Sequence, residues 1–230
     1  MKIFNLKVSN IKKRFDERFS LDVNELEITS GGLYGIIGPN GCGKTTLMKI
    51  IAGLIKADKG QIDYGGLTNR DITMLFRRPY LIHDTVLQNL IYPLKIRGQK
   101  PDPALIEDYL EMAGLQDHRK QYAPGLSGGE QQKLALIRAL IFKPKFILID
   151  EAFSNLDIES AGVFEEFILK GQENEPATYL ICAHQISHIR RLCGYVFFMQ
   201  GGKLEDAGSV EEILINPKNP KLQNYLQYIL

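Results

Sequence analysis

Gly38-Pro39-Asn40-Gly41-Cys42-Gly43-Lys44-Thr45-Thr46 is the stretch from which the rest of this chain can be read. It fits G-x-x-x-x-G-K-[ST], a loop that wraps nucleotide phosphates. The apolar run Leu33 to Ile37 before it predicts a buried strand. Residues 44–54 after it predict a helix with Leu47, Ile50, Ile51 and Leu54 on one face. The glycines therefore stand where a strand turns into a helix. Glycine lets the backbone approach an anion closely and adopt conformations closed to other residues. The helix start then offers unpaired N–H groups and a positive dipole end to the phosphates. Lys44 adds a point charge for the β- and γ-phosphates, and Thr45 a hydroxyl for Mg²⁺. In this loop the backbone N–H of Cys42 matters more than its thiol.

The 230 residues suffice for a sizeable core, either one α/β domain or one with a helical lobe. A net charge of +1 gives no reason to expect nucleic acid as a partner. Three cysteines, Cys42, Cys182 and Cys193, are odd in number and widely spaced. They suit a reducing cytosol and argue against a disulfide scaffold or a zinc site. The N-terminal residues lack the apolar core of a signal peptide. No run approaches ~18 uninterrupted apolar residues, so the chain is not expected to span a membrane.

Outward from the loop, apolar alternation predicts strands at residues 2–8, 19–28, 60–64 and 72–76, with Ser30-Gly31-Gly32 as a turn. Residues 85–142 read differently, as helices at 85–94, 103–113 and 128–142. Pro101 and Pro103 mark the start of the second, and Pro124-Gly125 a break before the third. Strand patterning returns at Phe146 to Ile149, Thr178 to Ala183 and Tyr195 to Met199. Gly201-Gly202 turns the last of these into Lys203 to Ala207. Two short helices, at 210–215 and 221–229, are expected to close the chain. The predicted fold is α/β: a P-loop NTPase with a mostly parallel core sheet, a small antiparallel β-subdomain and an inserted α-helical subdomain. The expected organisation is one domain over 1–230, with the core in 1–84 and 143–230 and the helical subdomain in 85–142.

Leu126-Ser127-Gly128-Gly129-Glu130 opens the third helix. Ser127 to Glu130 fits the S-x-x-E capping box. Capping alone does not favour two glycines just inside a helix, each costing about 1 kcal/mol. Exposed N–H groups at this helix start suit a phosphate from another molecule. Phe146 to Glu151 reads as a buried strand ending in two acids. Asp150 at the strand tip is positioned to hold Mg²⁺. Glu151, beyond it, would stand near the γ-phosphate and polarise water as a general base.

With these residues in order, the chain resembles the ATP-binding cassette (ABC) ATPase family along essentially its whole length. Gly38 to Thr46 matches the family's Walker A, Leu126 to Glu130 its signature, and Asp150-Glu151 its Walker B with the catalytic glutamate. Ser154-Asn155-Leu156-Asp157 looks like the D-loop, and His184 like the switch histidine. Phe15 lies where the family places an aromatic under adenine, with Phe19 as a rival. His184 and His188 also have H-x-x-x-H spacing, but the zincin glutamate is missing between them. Arg190 and Arg191 read as a solvated face. The resemblance implies ATP and Mg²⁺ as cofactors and a head-to-tail pair of subunits, expected to be a homodimer. Each ATP would lie between Walker A of one subunit and Ser127, Gly128 and Gly129 of the other. It further implies docking on transmembrane permease subunits at the cytoplasmic face of the membrane, with an extracytoplasmic solute-binding protein as a further partner. The order of motifs and the short tail resemble single-cassette importer subunits, with no further regulatory domain expected; export stays open.

One position departs from the family pattern. Phe76-Arg77-Arg78-Pro79 puts Arg77 where the family has a glutamine that touches Mg²⁺ and the attacking water. A guanidinium neither ligates a cation nor accepts from water. It can pair with the γ-phosphate or turn toward a partner's carboxylate. Arg77 therefore leaves two alternatives to an active transport ATPase: a nucleotide-gated binding module with weak hydrolysis, or an ABC ATPase without a transport role.

Overall fold

The computed structural model describes residues 3–15, 19–154, 156–174, 176–183 and 185–229. A three-stranded antiparallel sheet is ordered β2-β1-β4, from β1 (Asn5–Arg14), β2 (Ser20–Thr29) and β4 (Lys59–Asp63). A six-stranded sheet is ordered β5-β6-β7-β3-β8-β9. Its strands are β3 (Leu33–Ile37), β5 (Ile72–Leu75), β6 (Phe146–Asp150), β7 (Thr178–Cys182), β8 (Tyr195–Gln200) and β9 (Lys203–Ser209). The first five in that order pair in parallel, and β9 returns antiparallel to β8 through Gly201-Gly202. This is the mixed α/β fold expected for a P-loop NTPase.

Successive residues of each central strand feed opposite faces, as the strand period of two requires. Ile36, Leu148, Leu180 and Phe197 join α1 (Lys44–Ile51) and the buried residues of β1 and β2 on one side. Ile37, Ile147, Ile149, Ile181, Val196 and Phe198 face the other side. There they meet residues of α2 (Val86–Ile96), α3 (Pro103–Ala113) and α4 (Gly128–Leu140), as well as α5 (Ile158–Asn174), α6 (Ile186–Leu192) and α7 (Pro220–Gln227). Strands with both faces covered are apolar throughout, and β6 and β7 are buried at every position. Among the described residues no helix is long and apolar enough to cross a membrane.

Several boundaries moved for local reasons. β1 continues to Arg14 rather than ending at residue 8, because the ladder to β4 shifts between Ser9 and Lys12 and Asn10 sits at φ 51°. Buried positions run Leu6, Val8, then Ile11, so the alternation skips a step at the bulge. α1 stops at Ile51, followed by Gly53 at φ 72° and an exposed Leu54. Residues 211–215 form a widened helical turn closed by the Asn216 N–H on the Glu211 carbonyl at 2.9 Å.

Three helix starts in the helical stretch are capped by side chains. Thr85 accepts from the Gln88 N–H at 3.2 Å, and Asp102 from the Ala104 N–H at 3.0 Å ahead of Pro103. Ser127 caps α4. Fully buried Asn89 ties the loop before α2 to the helix, accepting from the Ile82 N–H at 2.9 Å and donating to the Ile82 and Thr85 carbonyls.

Candidate functional site

The loop of residues 38–43 joins β3 to α1 and is shaped by its glycines. Gly38 has φ 145°, and a β-carbon there would lie 2.0 Å from the Met199 carbonyl oxygen. Gly43 has φ 109° at the helix start, and a β-carbon there would meet Leu21 at 2.8 Å and the Phe19 ring at 3.0 Å. No L-residue fits either place without displacing β8 or β2. Asn40 and Gly41 are exposed, Cys42 is buried and Thr46 half-buried. Burial pushes the Cys42 thiol up, so it is inert in the loop that holds it.

Lys44, the first residue of α1, is buried, and its ammonium donates to the Gly38 carbonyl at 2.7 Å and the Pro39 carbonyl at 3.0 Å. The charge is held over the mouth of the loop by the loop itself. The Thr45 hydroxyl donates to Asp150 Oδ1 at 3.0 Å. Asp150 ends β6 and is 5% exposed. Burial raises its carboxyl above the usual range; the Thr45 hydrogen bond opposes this and the neighbouring Glu151 charge adds to it. A buried carboxylate short of charge compensation next to a hydroxyl is a donor pair that suits a hard divalent cation, whose other ligands are phosphate oxygens and water. Among the described residues no three His, Cys, Asp or Glu side chains cluster to hold a metal without such help.

Glu151 follows at φ 54°, an uncommon conformation for a non-glycine residue. Its N–H donates to the Cys182 carbonyl at 2.9 Å, while its carbonyl accepts from the Ser154 N–H at 3.2 Å and hydroxyl at 2.7 Å. That frame turns the chain out of the strand and leaves the side chain 13% exposed at the sheet's edge. Its Oε2 lies 3.3 Å from the Arg77 guanidinium. Parallel pairing of β5 with β6 sets Leu75 opposite Ile149, so two residues further along each strand Arg77 stands beside Glu151. Arg77, expected to pair with a γ-phosphate or a partner's carboxylate, meets a carboxylate of its own chain.

The remaining residues lie apart from this centre. His184 and Asn155 fall outside the described residues. Phe15 is 56% exposed with the Lys13 ammonium 5.6 Å from its ring centre, whereas Phe19 packs into the core beside the phosphate loop. Of the two aromatics, Phe15 is the more exposed. Ser127 and Gly128 are exposed at the start of α4, and Gly129 and Glu130 are half-buried. The capping box is complete: Ser127 donates to Glu130 Oε2 from its N–H at 2.8 Å and its hydroxyl at 2.7 Å, and the Glu130 N–H returns to Ser127 Oγ at 3.4 Å. These bonds hold the Glu130 carboxyl below its usual range. Asp157 is exposed and accepts from the Ser160 N–H and hydroxyl at the start of α5.

Two features escaped the sequence reading. Arg191 is not merely solvated: it reaches Glu165 of α5 at 3.0 Å, and His188 Nδ1 reaches the other oxygen of the same carboxylate at 2.5 Å. Glu165 is 1% exposed, so the Arg191 charge and the His188 contact offset the cost of burying it. The signal was an acid inside Phe164-Glu165-Glu166-Phe167, where the neighbouring apolar residues face the core. His188 also stacks on Phe153, two residues beyond Glu151, with ring centres 5.7 Å apart. A cleft of about 460 Å³ between these helices opens to Glu151. A second, of about 340 Å³, is lined by Phe76, Pro79, Tyr80, Tyr92, Ile96 and Arg138 among others.

A family profile described as ABC transporter matches residues 21–154. The tungstate uptake system ATP-binding protein TupC of Peptoclostridium acidaminophilum is 38% identical over 206 residues, covering 87% of this chain and 96% of its own. The probable sulfate/thiosulfate import ATP-binding protein CysA of Chlorella vulgaris is 33% identical over 231 residues, covering 95% of this chain and 97% of its own. The Fe(3+) ions import ATP-binding protein FbpC of Vibrio cholerae is 32% identical over 229 residues, covering 95% of this chain and 65% of its own.

Proposed function

We propose, from the premise that this chain belongs to the ABC transporter family, that it is the ATP-hydrolysing subunit of a small-solute importer. Transport is driven by its ATP hydrolysis and passes through separate permease subunits. The relatives named for tungstate, sulfate or thiosulfate, and Fe(3+) support a small inorganic ion as the class of cargo. The single observation that carries the reading is the Thr45–Asp150 hydrogen bond at 3.0 Å, which joins the start of α1, with buried Lys44, to the carboxyl end of β6, where Glu151 follows.

In this reading the loop N–H groups and the start of α1 bind the β- and γ-phosphates, and Lys44 leaves the Gly38 and Pro39 carbonyls for them. Thr45 and Asp150 hold Mg²⁺, which when bound neutralises charge on the phosphates. Glu151 orients water and takes its proton. Phe15 stacks on the adenine. His184 donates a hydrogen bond to the γ-phosphate, and Asp157 belongs to the seam between subunits. Ser127 and its glycines act on the ATP of a second copy, in a homodimer closed by ATP and opened by its hydrolysis. Residues 85–142 form the lobe that, with the cleft behind Phe76 to Tyr80, receives the permease. The subunit sits at the cytoplasmic face of the membrane, and an extracytoplasmic solute-binding protein supplies the cargo.

The test is phosphate release from ATP and Mg²⁺ by the purified chain, and its co-purification with permease subunits from membranes. Release that Glu151→Gln abolishes, with permease retained, is the expected result; no release under any condition would reject the enzyme.

A further inference from the structure

We infer that Arg77 distinguishes ATP from ADP by exchanging partners, leaving the Glu151 carboxylate for the terminal phosphate of ATP. The inference rests on the proposed site and adds to it a residue that decides which nucleotide frees the general base.

Three observations carry it. First, the guanidinium lies 3.3 Å from Glu151 Oε2, so the carboxylate meant to take a proton from water is engaged by a cation. Second, the two partners differ in freedom. Glu151 is 13% exposed and its backbone is pinned by Ser154 and Cys182, whereas the Arg77 side chain is 59% exposed on the loop after the edge strand β5. When the pair opens, the arginine moves and the glutamate stays. Third, the Thr45–Asp150 hydrogen bond brings the phosphate loop to the carboxyl end of β6, and β5, which leads to Arg77, pairs beside that strand. A terminal phosphate brings up to two negative charges and three acceptor oxygens, and a guanidinium binds such a group through two parallel hydrogen bonds. A carboxylate contact at 3.3 Å is weaker than that two-bond pairing. ADP, lacking that group, leaves the original pair in place. Glutamine at this position has no charge with which to hold Glu151, so the exchange depends on the arginine.

The experiment compares the full chain with Arg77→Ala, Glu151→Ala and the double variant, titrated with ATP and with ADP in EDTA, which prevents hydrolysis. Removing Glu151 should tighten ATP by about two- to fivefold, the scale of a partly exposed ion pair, and leave ADP unchanged. Removing Arg77 should weaken ATP relative to ADP. In the double variant the gain from losing Glu151 should shrink to a fraction of its size in the presence of Arg77. ADP affinity reports that each variant is folded. A gain on ATP of equal size with and without Arg77 would mean that only repulsion by Glu151 was relieved, and the exchange would be wrong. Equal loss of ATP and ADP in Arg77→Ala would also overturn it. Failure of every variant and the parent to bind either nucleotide would overturn the ATP site itself, a result separable from the other two.

Discussion

The phosphate loop and the start of α4 are both glycine-rich helix N-termini, yet they are finished in opposite ways. At the loop every functional group has an inward partner: Lys44 on two carbonyls, Thr45 on Asp150, Asp150 almost wholly buried. At α4 the Ser127 hydroxyl is bonded only within its own capping turn among the contacts described, and the residue faces solvent. One end is assembled by its own chain, and the other is presented outward. A site preorganised by burial needs only its ligand, whereas an exposed turn becomes a site when a second molecule brings the ligand to it. This contrast is the physical basis for expecting a two-subunit enzyme.

The largest effects should fall on the inward end. Glu151→Gln should lower turnover by about 10²- to 10⁴-fold, the usual contribution of a general base. With ATP and Mg²⁺ it should run as a dimer in gel filtration, because the ligand that closes the seam persists. A monomer under those conditions would break the contrast, since α4 would then have no phosphate to meet. Lys44→Ala removes charged hydrogen bonds worth about 1.5–3 kcal/mol, so nucleotide affinity should fall about ten- to a hundredfold. Calorimetric titration with ADP, which needs no partner subunit, measures that loss on the isolated chain. Arg77→Gln should retain basal phosphate release at saturating ATP, where Glu151 is already free, and raise the ATP concentration needed for half-maximal release about two- to fivefold. A large drop would mean that the arginine takes part in the chemistry.

Much of the fold was legible because its signals are local. The strands before Gly38 and up to Asp150 announce themselves as short apolar runs, and the start of α3 is marked by Pro101 and Pro103. The far half of β1 was not legible, because a bulge at Asn10 breaks the alternation by which a strand is recognised. The site divides the same way. The residues of the phosphate loop and its acids are spaced by sequence motifs, so each could be named and their chemistry argued. The contact between Arg77 and Glu151 is set by which strand neighbours β5, and no periodicity in one chain carries that information. The burial of Glu165 was hidden for a related reason: it depends on α6 bringing His188 and Arg191 to α5.

Effects at the outward end should be smaller than that of Glu151→Gln, and there stability and function must be told apart. Ser127→Ala deletes a helix cap and should cost about 1 kcal/mol in urea unfolding. Asp102 caps α3 in the same helical stretch, with its side chain on the Ala104 N–H, so Asp102→Ala should cost a similar amount. The two changes therefore share a structural penalty. If Ser127 serves the ATP of a second copy, its replacement should also reduce turnover about tenfold at saturating ATP while leaving ADP affinity unchanged. Asp102→Ala should leave both near those of the parent protein, and Ser127→Thr, which keeps a hydroxyl, should recover part of the rate. Equal turnover in the Ser127→Ala and Asp102→Ala proteins would reduce the turn at α4 to a cap. The second glycine-rich helix start would then be structural, and the inward site would have to work alone.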